Sequence, residues 1–486
     1  MALPQRSSPE EAQRTAMESA VRYAGLSLEQ LWTRYFALGG DLDLVEIDGF
    51  LAGLMQLPQL QRDMLAHAVN ERLDELFGQR RVPYSSVVRL RRPTTGPLAA
   101  LVQLIDGAHE APPDRLPILA AEAGRALGVE LHVHMVDYEQ RRLTRLGVTA
   151  GQPSPVIAVE GTLPGRVFQT VRILPSEANG RPRLWVPLLD GADRLGVLEV
   201  EVGSAAELYD PALRDQCWWV ARMLGHLAAS MGQYGDELEQ ARRTRPRVAS
   251  AELLWHQLPP LTAATDTFVL SGLLEPSYHA GGDAFDYAMS EDSVSLGVFD
   301  AMGHGMEAAL MAAAAMSGYR SARRDARSLF DQARSIDEVV GHFPASAFVT
   351  GVLAELDVRS GRLRYVSAGH PPPLLMRGGK VVKSLTGGRR VPFGLESTTL
   401  AVAEEFLQPG DWLVLYTDGI TEARDAAGAW FGEERLVDFL TRSAAAAHPP
   451  PETARRLIAA VLDHQGGLLQ DDASILLACW RENDGG

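Results

Sequence analysis

The apolar positions of this chain repeat with two periods, and the period changes along its length. Near the N-terminus Leu26-Ser27-Leu28-Glu29-Gln30-Leu31-Trp32 opens an amphipathic helix, with Ser27 as N-cap and Gln30 at the capping-box position. A second helical segment runs from Leu60 to about Phe77. From Val129 the period drops to two. Val129, Leu131, Val133 and Met135 alternate with Glu130, His132 and His134, the pattern of a half-buried strand whose polar face, with both histidines, meets solvent. That shared face also makes the pair candidate haem or metal ligands, although no partnering motif accompanies them. Leu198, Val200 and Val202 alternate with Glu199 and Glu201 after an Asp190-Gly191 turn, and a closing helix is predicted from Asp210 to about Gly225. Further on, Val294, Leu296 and Val298 alternate before Asp300, Trp412 to Tyr416 form a short apolar run before Asp418, and Ile475 to Ala478 follow Asp471. Met306 to Tyr319, with its run of alanines, predicts a helix packed closely on a sheet rather than a lipid anchor, and the polar stretch from Ser321 to Arg334 reads as a short loop region.

The predicted strand ends carry acid groups. Asp283 lies in Gly-Gly-Asp-Ala-Phe-Asp, Asp300 in Val-Phe-Asp-Ala-Met-Gly-His-Gly, Asp418 in Leu-Tyr-Thr-Asp-Gly and Asp471 in Gln-Asp-Asp-Ala-Ser. Hard divalent cations prefer oxygen ligands, and a rigid sheet brings carboxylates remote in sequence to one edge. A lone Asp-Gly is ordinarily a hairpin turn. Gly-Gly-Asp by itself also recurs in nucleotide cyclases, where a second acidic residue follows; here Ala284 and Phe285 follow. All four elements within one segment, in fixed order, point to a two-metal phosphatase centre.

With those motifs in place, residues from about Leu253 to Trp480 resemble the SpoIIE-type protein phosphatases, the bacterial branch of the metal-dependent Ser/Thr phosphatases. Leu258-Pro259-Pro260 resembles the opening segment of that family, Gly281 to Asp286 its first acidic motif and Asp300 to Gly305 its second. Phe348 to Leu353 resembles a central strand, Ala368-Gly369-His370-Pro371-Pro372 a characteristic turn, and Pro409 to Glu422 and Asp471 to Leu477 the remaining pieces. The resemblance implies an α/β (α+β) class: a C-terminal antiparallel β-sandwich flanked by helices, with a dinuclear site of Mn²⁺ or Mg²⁺ at one edge. It implies that Asp300 bridges both ions, that Asp418 and Asp471 complete one, and that Asp283 with the Ala301 carbonyl serves the other. Asp300 and Asp418 are then the catalytic pair. Asp286 and Asp472 stand as supporting or additional ligands, and Asp472 equally as a solvated turn residue. The better-known eukaryotic relatives carry a histidine two residues after the bridging aspartate, where this chain has Met302. His304 and His370 are nearby but read as structural, so the general acid stays unassigned. Relatives often have a longer regulated loop where Ser321 to Arg334 stands.

The chain divides, on this reading, into a helical N-terminal segment with linker (1–95), a sensor that resembles a GAF domain by pattern and position (96–235), a helical linker (236–262) and the phosphatase domain (263–486). Arg80 to Thr95, basic and proline-bearing, is the predicted linker. Leu224, Leu227, Met231, Tyr234, Leu238 and Ala241 form a heptad-like seam until Arg245-Pro246. Either it pairs two copies as a parallel homodimer through the 224–241 helix, or it packs on its own domain.

Composition narrows the partners. With 46 basic against 62 acidic residues, a net charge of −16, the chain lacks the balance of a nucleic-acid binder. Two cysteines, Cys217 and Cys479, exclude a disulfide framework and suit a reducing cytoplasm. No apolar run approaches the ~20 residues of a membrane span, and no apolar signal core opens the chain. The expected function is dephosphorylation of phosphoserine or phosphothreonine on a protein partner, an anti-sigma factor antagonist by family, under control of a sensor with an unknown small-molecule ligand. The alternatives are a ligand-sensing docking scaffold, which the intact aspartates oppose, and a small-phosphoester phosphatase, for which no deep pocket signature is present.

Overall fold

The computed structural model describes residues 9–77, 94–147, 154–177, 180–275, 278, 281–395, 401–467 and 469–481. Most of the predicted Arg80 to Thr95 linker lies outside them. The chain forms two compact units, divided at Thr94. The first contains α1 (Pro9–Tyr23), α2 (Leu28–Ala37), α3 (Leu44–Leu51) and α4 (Gln59–Phe77) around Met17, Leu31, Tyr35, Ile47 and Leu65. Its capping box forms as the sequence predicts: Ser27 N donates to Gln30 Oε1 at 3.0 Å and Gln30 N to Ser27 Oγ at 3.2 Å. Asp43 and Glu46 make a second box on α3.

The second unit begins with α5 (Pro97–Ala108), α6 (Leu116–Leu127), β1 (Glu130–Val136), β2 (Arg142–Arg145), β3 (Val156–Ala158), α7 (Leu163–Thr170), β4 (Leu174–Ser176), β5 (Arg183–Asp190), β6 (Asp193–Glu201) and α8 (Pro211–Met231). The strands make one sheet in the order β3-β2-β1-β6-β5-β4. Asp190 and Asp193 close the β5–β6 hairpin at the predicted turn. Leu131, Val133 and Met135 face a core shared with α5, α6 and α8, whereas the opposite face is covered by α7 through Val167 and Phe168. His134 is therefore buried, not solvated: its Nε2 lies 3.0 Å from Glu199 Oε2, and Glu199 also binds Arg183 at 3.0 Å. His132 is half-buried and paired with Arg145. Alternation marked which side chains share a face, but the helix that covers the face comes from elsewhere in the chain.

The seam of the linker also differs from a continuous coiled-coil helix. α8 ends at Met231, a turn intervenes, and α9 (Glu237–Arg242) resumes. Leu224, Met231 and Leu238 are buried in the core of the preceding sheet, and Tyr234 donates its hydroxyl to the Ala111 carbonyl at 3.1 Å. The stripe packs on its own domain because that apolar surface is already available within the chain.

The remainder contains α10 (Ala249–Trp255), β7 (Thr262–Ala264), β8 (Phe268–Glu275), β9 (Asp283–Met289), β10 (Ser293–Ala301), α11 (Met306–Arg324), α12 (Leu329–Val340), β11 (Val349–Asp357) and β12 (Arg362–Ala368). It continues with β13 (Leu374–Arg377), β14 (Lys380–Ser384), β15 (Arg389–Arg390), β16 (Ala403–Phe406), β17 (Trp412–Tyr416), α13 (Asp418–Thr421), α14 (Gly432–Ala445), α15 (Pro450–His464) and β18 (Ala473–Trp480). Two sheets result, β15-β12-β11-β10-β9 with β16 beside β12, and β14-β13-β17-β18-β8-β7. Apart from the short β12–β15 pair they are antiparallel. Their facing sides build one core, with α11 and α12 on the outer side of the first sheet and α15 on that of the second. The alanines of α11 (Ala308, Ala309, Ala312, Ala315) are buried against that sheet, as their small size predicts. The stretch read as a short polar loop instead completes α11 and begins α12, whose apolar Leu329, Ala333 and Ile336 recur at helical spacing.

The two parts of this unit meet across buried charge. Arg194 of β6 lies 3.6 Å from Glu452 of α15 and donates to the Pro451 carbonyl at 3.0 Å and to Gln140 at 2.9 Å. Glu452 also accepts from Arg455 at 2.7 Å and Arg456 at 2.6 Å, and Arg455 reaches across to Glu160.

Candidate metal centre

The antiparallel register of β9 and β10 sets Asp283 directly opposite Asp300. These residues open one strand and close the next, so their carboxylates sit together at one end of the first sheet. In the facing sheet, Tyr416 of β17 pairs with Ile475 of β18. The pairing continues just beyond, where Thr417 N donates to the Ser474 carbonyl at 3.0 Å and Ser474 N to Thr417 Oγ1 at 2.9 Å. That ties Asp418 to the Asp471-Asp472 turn.

Two contacts join the sheets at this end. Thr417 Oγ1 donates to Asp283 Oδ2 at 2.7 Å. Asp472 Oδ2 accepts from the backbone of Gly281, Gly282 and Asp283 at 2.6, 2.8 and 3.3 Å. Through Oδ2, Asp472 is thus a clamp that shapes the Gly-Gly-Asp turn rather than a solvated turn residue. The glycines are required by close approach: a Cβ on Gly282 would lie 2.4 Å from the Ala301 carbonyl oxygen, and one on Gly419 only 1.8 Å from the Asp472 oxygen. Asp418-Gly419 is therefore more than a hairpin turn. Asp286 is placed elsewhere. Arg320 and Arg323 of α11 hold it at 2.7 and 3.0 Å, so it anchors a helix to the sheet.

His370 is fully enclosed behind the centre. Its Nδ1 is 2.9 Å from Thr350 Oγ1, which donates to Asp300 Oδ2 at 3.3 Å, and burial pulls the imidazole down to about 4, so it is neutral. The ring orients Thr350, and Thr350 orients Asp300. His304 is exposed on the turn beside Gly281 and has no polar partner among the described residues. Thr350 and Thr417 were not singled out by sequence reasoning, although each lies inside a motif that was quoted. Neither could have been marked from sequence, since Thr350 meets Asp300 across the β10–β11 pair and Thr417 meets Asp283 across the two sheets.

Electrostatics define what the site accepts. Burial first, then the charges of Asp418 and Asp471, push Asp300 up to about 7. Burial, then Asp300 and Asp472, hold Asp283 well above the usual carboxylate range. Asp418 is raised by burial, Glu422 and Asp471. Among the described residues no three His, Cys, Asp or Glu side chains stand close enough to hold a metal ion as placed. The fit to a divalent cation therefore rests on the all-oxygen donor set and on carboxylates whose mutual repulsion a cation would relieve.

A pH dependence follows. In metal-free protein, folded Asp300 keeps its proton between its ordinary value of 3.8 and about 7, where the unfolded chain loses it. The folded state binds more protons in that window, so stability falls as pH rises through it, by at most about 4 kcal/mol from this residue. Thermal melts in EDTA are expected to give a lower Tm at pH 8 than at pH 5, with Mg²⁺ or Mn²⁺ restoring the loss at pH 8. An unchanged difference with cation would contradict a cation site here. Thr350→Val tests the support behind Asp300. It leaves His370 Nδ1 buried without a partner, at about 1–3 kcal/mol, and should raise the Mn²⁺ concentration needed to restore the Tm at pH 8, measured by titration in thermal melts.

Two facing antiparallel sheets with acids gathered at one end are the arrangement that the sequence resemblance leads one to expect. Residues 290–481 match the family model for stage II sporulation protein E (SpoIIE). The match includes Asp300, Asp418 and Asp471; Asp283 lies just upstream. A 140-residue stretch is 26% identical to protein IcfG of Synechocystis sp., covering 29% of this chain and 22% of that protein. Another of 162 residues is 23% identical to phosphoserine phosphatase RsbU of Bacillus subtilis, covering 32% and 46%. The chain thus spans less than half the length of these relatives. Among solved structures, the RsbU and RsbW domains of Rv1364c from Mycobacterium tuberculosis share 25% identity at a TM-score of 0.39, covering 46% of this chain and 62% of that one. The SiaA-PP2C domain of Pseudomonas aeruginosa shares 24% at 0.41, covering 53% and 100%. No described helix is long and apolar enough to cross a membrane.

Proposed function

We propose that this protein is a metal-dependent protein serine/threonine phosphatase. The observation that carries the proposal is the register that sets Asp283 opposite Asp300, with Asp418 and Asp471 near enough to raise Asp300 toward neutrality. Asp283, Asp300, Asp418, Asp471 and the Ala301 carbonyl would hold two divalent cations, Mn²⁺ or Mg²⁺. Such cations supply Lewis-acid activation of water and neutralise charge on the attacking and leaving oxygens. The chain's own part is positional. Thr417 fixes one Asp283 oxygen, Thr350 fixes one of Asp300, and Asp472 sets the backbone on which Asp283 rides. No protein nucleophile is required, so no covalent phosphoenzyme is expected.

A protein substrate is favoured by the surroundings of the centre. Met302, Met306 and Leu310, which follow Asp300 along the chain, are each about two-fifths exposed or more and offer adaptable apolar contact to a phosphorylated segment. The likeness to phosphoserine phosphatase RsbU supports a phosphoserine on that partner; we take the partner to be an anti-sigma factor antagonist and residues 96–235 to be a GAF-like regulatory domain. The test is hydrolysis of p-nitrophenyl phosphate and of a phosphoserine peptide by the full chain with Mn²⁺, Mg²⁺ or EDTA. Metal-dependent release of phosphate is expected from both. Absence of turnover by well-folded, metal-loaded protein on either would favour the docking scaffold.

A further inference from the structure

A cleft of about 770 Å³ opens between α7 and the start of α15, and none of the four motif aspartates lines it. Its walls come from both parts of the unit: Arg166, Gln169 and Arg172 from one, His448, Glu452 and Arg456 from the other. The chain is acidic overall, yet this surface is cationic. Arg166 and Arg172 are exposed and have no ion-pair partner among the described residues. The cleft's one lining carboxylate, Glu452, is already shared by Arg194, Arg455 and Arg456. Behind that wall, Arg194 and Arg455 add positive charge, offset further by Asp193 beside Arg194 and by Glu160 on Arg455.

Hydrogen-bonding capacity is also left over. Gln169, with 9% of its surface exposed, has a buried side-chain amide nitrogen without a partner, and the buried Nδ1 of His448 lacks one as well. Unmatched donors and unpaired guanidinium groups beside a partly dry wall are stabilised by an anion. Guanidinium forks match the tetrahedral oxygens of phosphate bidentately. The volume suits a ligand the size of a mononucleotide.

We propose that this cleft is a binding site for a phosphorylated small molecule of about mononucleotide size, held between Arg166 and Arg172 on one wall and Arg456 on the other. Because the ligand touches both parts, its binding favours their packed arrangement over any separated one, which links a sensor-side ligand to the phosphatase domain. The inference does not depend on catalytic activity.

The test uses the full chain in EDTA, so that phosphate cannot bind through a cation at the acidic centre. Calorimetry and thermal melts with pyrophosphate, GMP and GTP are compared with citrate, a multivalent anion without phosphorus. At least one phosphorylated probe is expected to bind saturably and raise Tm. The double variant Arg166→Gln/Arg172→Gln, and separately Arg456→Gln from the opposite wall, should weaken it about tenfold or more. Asp300→Asn should leave that affinity unchanged. Failure of all three probes to bind, binding indifferent to the arginine variants, or citrate binding as tightly would each overturn the proposal.

Discussion

Asp300→Asn is expected to lower metal-dependent hydrolysis by roughly 10²–10³-fold or more, while raising the thermal stability of the metal-free protein. The two effects have one cause. Asp300 is the carboxylate that feels the charge of Asp418 and Asp471 most directly, and its burial already pushes it up to about 7. An amide of the same shape keeps an oxygen for the Thr350 hydroxyl but removes a charge that the empty fold tolerates poorly. What the fold gains without cations, the centre loses in affinity for them. Initial rates with p-nitrophenyl phosphate across a Mn²⁺ titration, together with melts in EDTA at pH 8, read both. Activity within about threefold of the parent chain, or a lower metal-free Tm, would be incompatible with Asp300 as the shared ligand of a cation pair.

Glu452→Ala is expected to cost about 3–5 kcal/mol, the largest stability loss proposed here. Glu452 is 2% exposed, Arg194 and Arg455 are each 5% exposed, and all three lie where α15 meets the other part of the unit. Burial already lowers Arg194 to about 10, so the guanidinium depends on its carboxylate partner. Removing that carboxylate leaves like charges facing one another in a desolvated interface. Equilibrium denaturation of the full chain should register the loss, and the transition should separate into two as the parts uncouple. Glu452→Gln, which keeps hydrogen-bond acceptance, should lose less. If Glu452→Ala melts within a degree or two of the parent protein, the interface is not held by this cluster.

Much of the acidic centre was legible because its logic is local. Asp300 and Asp418 close apolar runs and are followed by Ala or Gly, whereas Asp283 follows Gly281-Gly282 and Asp471 shortly precedes the apolar run of Ile475 to Ala478. What those segments could not carry was orientation. Asp286 and Asp472 look equivalent as neighbours of motif aspartates. A residue three positions along a strand points to the other face, so Asp286 meets Arg320 and Arg323, whereas Asp472 turns back on the Gly281 backbone. The same limit explains His134. Its period-two placement was right, but burial came from α7, about thirty residues further along.

The sequence by itself determined the helix caps, the alternating strands, the small-residue helix after Asp300 and the acidic residues of the candidate centre, because each is written within a few residues of chain. Tertiary structure alone decided that Thr350 and Thr417 hold the acids, that the 224–241 stripe packs inward, and that α7 and α15 enclose a cationic cleft. These depend on which surfaces meet after burial of the apolar faces, and packing between distant segments leaves no periodic mark in either one.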